Sequence, residues 1–244
     1  GKTLTPSPLF STAVLGASLL EIAGSDSQKS NYLPKLVSGE LTTAFALEEG
    51  SHHNPTHITT SAKKEGDNFI INGKKTFVID GHSANLIIIA ARTKGDEDDP
   101  NGISLFCVDS GNKDLKVIRQ SMVDSRNSAE LELKNVTVSK ENLLGDIHNA
   151  YSVIENVLDI ARVAIAAEML GNASKAFEIT LDYLKERKQF GVLIGSFQAL
   201  KHRAAEMYSE IELTKSAVVS AMNAIDEKSN DTGRLSSLCK FKAC

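Results

Sequence analysis

The sequence predicts an α+β protein. Short helices come first, then a central, mostly antiparallel β-barrel or sandwich, then the long helices of an antiparallel bundle. Three observations predict this. Apolar residues Ile154, Val157, Leu158, Ala161, Ile165 and Met169 step by three or four, and no proline interrupts residues 149–190. Between about residues 42 and 145 the pattern is instead short apolar or alternating runs without intervening long helices, which favours antiparallel pairing. The period changes at about Asn149, dividing a β region from a helical one.

Residues 8–24 carry Leu9, Ala13, Leu15, Leu19, Leu20 and Ile22 and end at Gly24, an apolar helix with a glycine stop. A second helix runs from Ser27 to about Val37, with Asp26 and Ser27 as caps and Gly39 after it. Thr42–Leu47 reads as a short strand and Ser51–Pro55 as a polar loop. Asn72-Gly73 lies between two strand-like runs, Phe69–Ile71 and Thr76–Val78, and Asn-Gly is suited to the two positive φ angles of a type I′ turn. A hairpin is expected there, with Lys74 and Lys75 as surface charges. Leu86–Ala91 is continuously apolar, a strand buried on both faces. The acidic run Gly95–Gly102 reads as an exposed loop, and Ile103–Val108, Leu115–Arg119 and Ala129–Val138 as further strands. A helix of about 37 residues within 149–190 forms a rod of roughly 55 Å. Phe197–Ala224 supplies a second long helix and Leu235 opens a third. Such rods leave apolar surface for further helices or other subunits to cover.

Composition narrows the function. The chain has 244 residues, 27 Lys plus Arg against 31 Asp plus Glu, and a net charge of −4. No basic field draws nucleic acid or an anionic membrane, and no apolar run reaches the roughly 18 residues of a membrane span. Cys107, Cys239 and Cys244 form neither a disulfide framework nor a ligand-spaced pair. Reduced thiols in a cytoplasmic compartment are the expectation. His52, His53 and His57 cluster on one loop and read as loop residues rather than metal ligands. The chain begins at Gly and ends on Lys240–Cys244, which reads as an internal fragment.

The most specific string is Tyr183-Leu184-Lys185-Glu186-Arg187-Lys188-Gln189-Phe190-Gly191, with Ile194 and Phe197-Gln198 after it. Read alone, it is a helix C-terminus with basic residues in the last turn and Gly191 as the stop. Together with Tyr32-Leu33-Pro34, Ser38-Gly39-Glu40, Phe45–Glu49, Asn72–Asp80 and Glu141–Gly145, it resembles the acyl-CoA dehydrogenase family, in order along essentially the whole chain. The resemblance implies residues 1–41 as the end of an N-terminal helical domain. It makes 42–147 a β-barrel domain and 148–244 a helical bundle that continues beyond the chain.

It also implies FAD-dependent α,β-dehydrogenation of an acyl-CoA thioester, in which a carboxylate takes the α-proton and the flavin takes the β-hydride. Arg187, Phe190 and Gln198 fall where the family reaches FAD held mainly by a neighbouring subunit, and a planar guanidinium suits a pyrophosphate. Phe45, Leu47 and Glu48 fall on the strand against the isoalloxazine. Phe77 and Ile79 fall at the stacking tryptophan and at the hydroxyl donor near the ring. Ser51, Arg126, Asp159 and Arg162 fall at the acyl-CoA site. Arg126 lies in the Met122–Arg126 segment, which reads equally well as a surface turn.

Several positions depart from the family pattern. Glu48 replaces a threonine, Phe77 a tryptophan, Ile79 a threonine, and Ala161 stands where some members carry the catalytic glutamate. No catalytic residue is assigned in this chain, and Glu168, two turns further on, reads as a structural carboxylate. The expected partners are acyl-CoA, an electron carrier such as an electron-transfer flavoprotein, and further subunits in a homo- or hetero-oligomer. The alternative is a non-catalytic partner subunit of a heteromeric dehydrogenase.

Overall fold

A computed structural model describes residues 1–124 and 126–244. The chain divides into two compact units: a β unit, residues 7–158, and a helical unit, residues 1–6 with 159–244.

The β unit opens with wide π turns over Leu9–Ala17 that run into helix α1, Ser18–Ala23, where Leu19 and Leu20 are fully buried. Helix α2 spans Asp26–Ser38. Its N-cap is Ser25, one residue earlier than the sequence suggested. The Ser25 hydroxyl accepts from Gln28 N–H while the Gln28 side chain accepts from Ser25 N–H, a reciprocal capping box. Gly39 closes the helix at φ +78°, a conformation that costs a residue without a side chain little.

Eight strands form one sheet: β1 Thr43–Ala46, β2 Ser61–Glu65, β3 Asn68–Ile79, β4 Leu86–Arg92, β5 Ile103–Asp109, β6 Leu115–Ser121, β7 Asn127–Ser139 and β8 Leu143–Leu144. The order is β6-β7-β3-β2-β4-β5-β8, with β1 beside β4. Pairing is antiparallel except where β1 and β2 meet β4. Of the barrel or sandwich expected, a closed barrel does not form among the described residues: β8 pairs only β5, at Leu105 and Phe106, and β6 pairs only β7, so the two end strands do not meet. All seven residues of β4 are buried, as its unbroken apolar run requires.

The Asn72-Gly73 hairpin is also corrected. Residues 68–79 are one strand, and β2 turns into it at Gly66-Asp67, where Gly66 sits at φ +62°. Gly73 instead marks a bulge. Its φ is +153°, and a Cβ there would lie 2.6 Å from the Thr60 Cα. Opposite it, β7 carries the extra residue, with Asn135 at φ +58° donating its N–H to the Asn72 side chain. A second bulge places the extra residue on β3, between Lys75 and Val78, and restores the register. Each bulge reverses the inward face only on the strand that carries the extra residue, so β7 changes phase at the first and β3 at the second. The core therefore takes Phe69, Ile71, Lys75 and Val78, while Phe77 and Ile79 turn outward.

In the helical unit, α3 is a single helix over Tyr151–Glu186 whose first turns lie in the β unit. Its 36 residues agree with the uninterrupted period. A small hairpin, β9 Lys188–Gln189 and β10 Val192–Leu193, leads to α4, Gln198–Asp226, and α5, Thr232–Ala243. Val163 and Ala166 of α3, Val218 and Ala221 of α4 and Cys239 of α5 form the core of this unit.

Candidate functional site

Strands β1 and β3 build the first group of candidate residues. Phe45 and Leu47 are buried, so they shape the core beneath the surface and offer only their backbone to a ligand. The chain beyond β1 is fixed to β3 by two successive carbonyls. Leu47 C=O accepts from Lys75 Nζ at 2.9 Å, and Glu48 C=O accepts from Thr76 N–H at 2.8 Å. The Glu48 carboxylate turns to the following loop, where its oxygens meet His53 Nδ1 at 2.6 Å and Asn54 N–H at 3.2 Å.

Phe77 has φ +49° and is 47% exposed. A bulky residue in the left-handed region is strained by roughly 1–3 kcal/mol. The second β3 bulge holds it there and points the ring away from the core. Ile79, two residues on, is 38% exposed, and Asp80 at φ +56° accepts a 2.6 Å bond from the Ser11 hydroxyl. The result is an apolar surface of Phe77 and Ile79 on a strand that cannot slide.

Lys75 is the largest correction at this site. It is not a surface charge but fully buried, paired with Glu49 at 2.7 Å. Glu49 also accepts from Thr59 N–H at 2.7 Å and Thr60 N–H at 3.0 Å. Burial opposes ionisation of Glu49, but the Lys75 charge and these hydrogen bonds outweigh it and hold the carboxyl down at about 2. Burial lowers Lys75 to about 8, against the pull of Glu49. Both groups are ionised at neutral pH. The signal was in the sequence: Lys75 is in phase with Phe69 and Ile71, so period-two counting places it inside. Lys74, out of phase, is exposed and pairs with Glu130 at 2.8 Å.

The three histidines make three separate contacts. His52 Nδ1 lies 2.9 Å from the Ser51 hydroxyl, His53 meets Glu48, and His57 Nδ1 lies 2.8 Å from Asp98. The hydrogen bond to Asp98 raises the His57 pKa. The acidic loop is more than a solvated run. It gives the carbonyls of Glu97, Asp99 and Asn101 to the buried Arg92 guanidinium, which also takes Thr56 and Ile58. Arg126 donates its backbone N–H to Asp124 at 3.1 Å; its neighbour in the predicted segment, Ser125, lies outside the described residues.

In the helical unit, Asp159 and Arg162 pair at 2.7 Å on α3, and the Ser236 hydroxyl of α5 donates to the same Asp159 oxygen at 2.6 Å. The Asp159 carboxylate is thereby held by both helices and orients the guanidinium from one side. Ala161 between them is buried. Arg187 is exposed and accepts from Ile194 N–H at 2.9 Å through its carbonyl, which ties the β9–β10 hairpin to the helix end. Gly191 does not stop the helix. Phe190 at φ +52° and Gly191 at φ +79° are the two central residues of that hairpin, the positive pair a type I′ turn demands. Phe190 is 91% exposed and sits edge-on to Phe197, with ring centroids 6.3 Å apart. The Gln198 amide nitrogen lies 3.3 Å from His202 Nε2.

Two family models match in sequence order. "Acyl-CoA dehydrogenase, middle domain" covers residues 44–136, and "Acyl-CoA dehydrogenase, C-terminal domain" covers residues 151–244. A probable acyl-CoA dehydrogenase of Bacillus subtilis is 37% identical over 213 residues, 85% of this chain and 56% of the relative. A subunit of the caffeyl-CoA reductase–Etf complex of Acetobacterium woodii is 31% identical over 240 residues, 96% of this chain and 62% of the relative. Among solved structures, butyryl-CoA dehydrogenase of Megasphaera elsdenii superposes with a TM-score of 0.91 at 27% identity, covering 97% of this chain and 62% of that one. The chain thus spans less than two thirds of the length of these relatives.

Proposed function

Because the chain belongs to the acyl-CoA dehydrogenase family, we propose that it forms the middle and C-terminal parts of an FAD-dependent enzyme that oxidises an acyl-CoA thioester to its α,β-enoyl form. One observation carries this reading beyond family membership. The residue at the proposed stacking position, Phe77, is held at φ +49° with its ring 47% exposed on the β unit, and strain of that kind clusters at functional sites. The divisions 1–41, 42–147 and 148–244 and a cytoplasmic location belong to the same proposal. No helix among the described residues is long and apolar enough to cross a membrane.

The residues present fit a flavin. Phe77 offers a ring face, Ile79 an apolar contact, and the Leu47–Glu48 backbone a fixed edge, while the Glu48 carboxylate is drawn aside by His53 and Asn54. When bound, FAD accepts the β-hydride of the acyl group; the chain supplies position and surroundings. Arg187 brings a permanent cation, with Phe190 and Gln198 near it in sequence, to the flavin of a neighbouring subunit. Arg162, oriented by Asp159, and Ser51 with Arg126 contact acyl-CoA. No carboxylate of this chain is assigned as the base. The proposed redox partner is an electron-transfer flavoprotein, suggested by the Etf complex in the name of the Acetobacterium relative.

A second reading rests on Ile79 and Ala161, which lack the hydroxyl and the carboxylate of the family pattern. It is a partner subunit that completes a neighbour's site without chemistry of its own. Anaerobic addition of butyryl-CoA to the intact, purified protein separates the two. Bleaching of a bound flavin's visible absorbance supports the enzyme. A protein that is purified without FAD and takes up none supports the partner subunit.

A further inference from the structure

Lys75 and Glu49 are the only buried ion pair among the described residues to sit directly under the proposed flavin surface, and family membership alone gives them no role. The Lys75 side chain is wholly buried, and that of Glu49 is 6% exposed. A buried pair is weak evidence for stability, since desolvating two charges offsets most of their attraction. Its best-attested use is to fix one arrangement among several.

The pair's hydrogen bonds show which arrangement is fixed. Lys75 Nζ donates to two acceptors on the segment after β1, the Leu47 carbonyl at 2.9 Å and Glu49 Oε1 at 2.7 Å. Glu49 in turn accepts from Thr59 and Thr60 at the far end of the 50–60 loop. Lys75 is also the last residue in ladder register before the bulge that turns Phe77 outward. One buried contact therefore sets three things: the height of the Leu47–Glu48 backbone, the closure of the loop bearing Ser51 and His53, and the strand position from which Phe77 emerges.

We propose that Lys75 and Glu49 are positioning residues for the flavin ring, locking the Leu47–Glu48 backbone and the Phe77 bulge into one fixed cradle. This rests on the flavin reading above. Neither residue touches the ring; both act through Leu47, Glu48 and Phe77. The ring meets a prearranged surface and loses no affinity to ordering it.

The test uses the intact protein, stripped of and titrated with FAD. Lys75→Met and Glu49→Gln each remove one partner. Ile71→Ala, a fully buried position on the same strand, loosens the core without touching the pair. Each variant is first checked for native circular dichroism at the assay temperature. The proposal expects Lys75→Met and Glu49→Gln to weaken FAD binding at least tenfold and to change the shape of the bound flavin's visible absorption. Ile71→Ala is expected to keep parental affinity and spectrum. Should Lys75→Met fail to fold, Glu49→Gln, which keeps shape and removes charge, decides. Parental affinity and spectrum in a folded Glu49→Gln would overturn the proposal, as would equal losses in Ile71→Ala. Absence of FAD binding by the unsubstituted protein would overturn the flavin reading itself, and is seen before any variant is made.

Discussion

The β unit and the helical unit answer burial in different ways. Strand β4 buries every residue it has, and Ile87, Ile88 and Ile89 see no solvent. Helix α4, four times longer, buries only Thr214, Val218, Ala221 and Ala224. It leaves Met207, Leu213, Val219 and Met222 about half exposed. A sheet whose strands pack against one another completes a core within one segment of chain. A long helix with two partners covers one stripe and presents the rest, the arrangement of a bundle that more helices or another subunit extends. Both units nevertheless share one device: a phenylalanine at φ near +50° with its ring turned to solvent, Phe77 in one and Phe190 in the other.

The largest effect should come from the β unit's buried charge. Lys75→Met leaves Glu49 without its cation and is expected to cost about 3–5 kcal/mol in urea unfolding. The neighbouring exposed Lys74→Met should cost under about 1 kcal/mol. Acid should weaken the same pair. Glu49 is held at about 2 in the folded chain, below its usual 4.5. Its contribution is therefore complete above about pH 4.5 and falls away as pH drops toward 2. Melting temperatures across that window should fall more steeply in the parent protein than in Glu49→Gln.

Next in size is the contrast in packing. Ile89→Ala, in the sheet core, should destabilise by about 2–5 kcal/mol. Ile179→Ala, which is 58% exposed on α3, should change stability by no more than about 0.5 kcal/mol. Comparable losses at both sites would mean that the exposed helix face is covered in solution, and analytical ultracentrifugation would show by what. Smaller still, Ser25→Ala removes one half of the capping box and should cost about 1 kcal/mol by thermal melting.

Much of this was legible in the sequence. The helical period over residues 151–186, the apolar run of β4 and the alternation of β7 each report a single dominant environment, and each element formed. Two features run against residue type: the cause of one is not local, and the other is visible only in the strand's period. Asn72-Gly73 has the composition of a turn, but Gly73 is needed where a Cβ would lie 2.6 Å from the Thr60 Cα, a contact set by tertiary packing. Lys75 looked like surface because lysine usually is; its partner Glu49 lies 26 residues away. Gly66-Asp67 carries the actual turn with a weaker turn composition than Asn-Gly. At the candidate site, the resemblance supplied positions, but no motif revealed that Phe77 and Phe190 share a strained backbone. That follows from bulge and hairpin geometry, which the residue names do not encode.

The most direct measurement is to make Phe77→Gly and follow FAD affinity and melting temperature in the same preparation. Glycine relieves the positive φ and gives up little packing. If Phe77 is held under strain to meet a flavin, stability should hold or rise by up to about 1 kcal/mol while FAD affinity falls at least tenfold. Unchanged affinity would show that the outward Phe77 ring does not carry the cofactor.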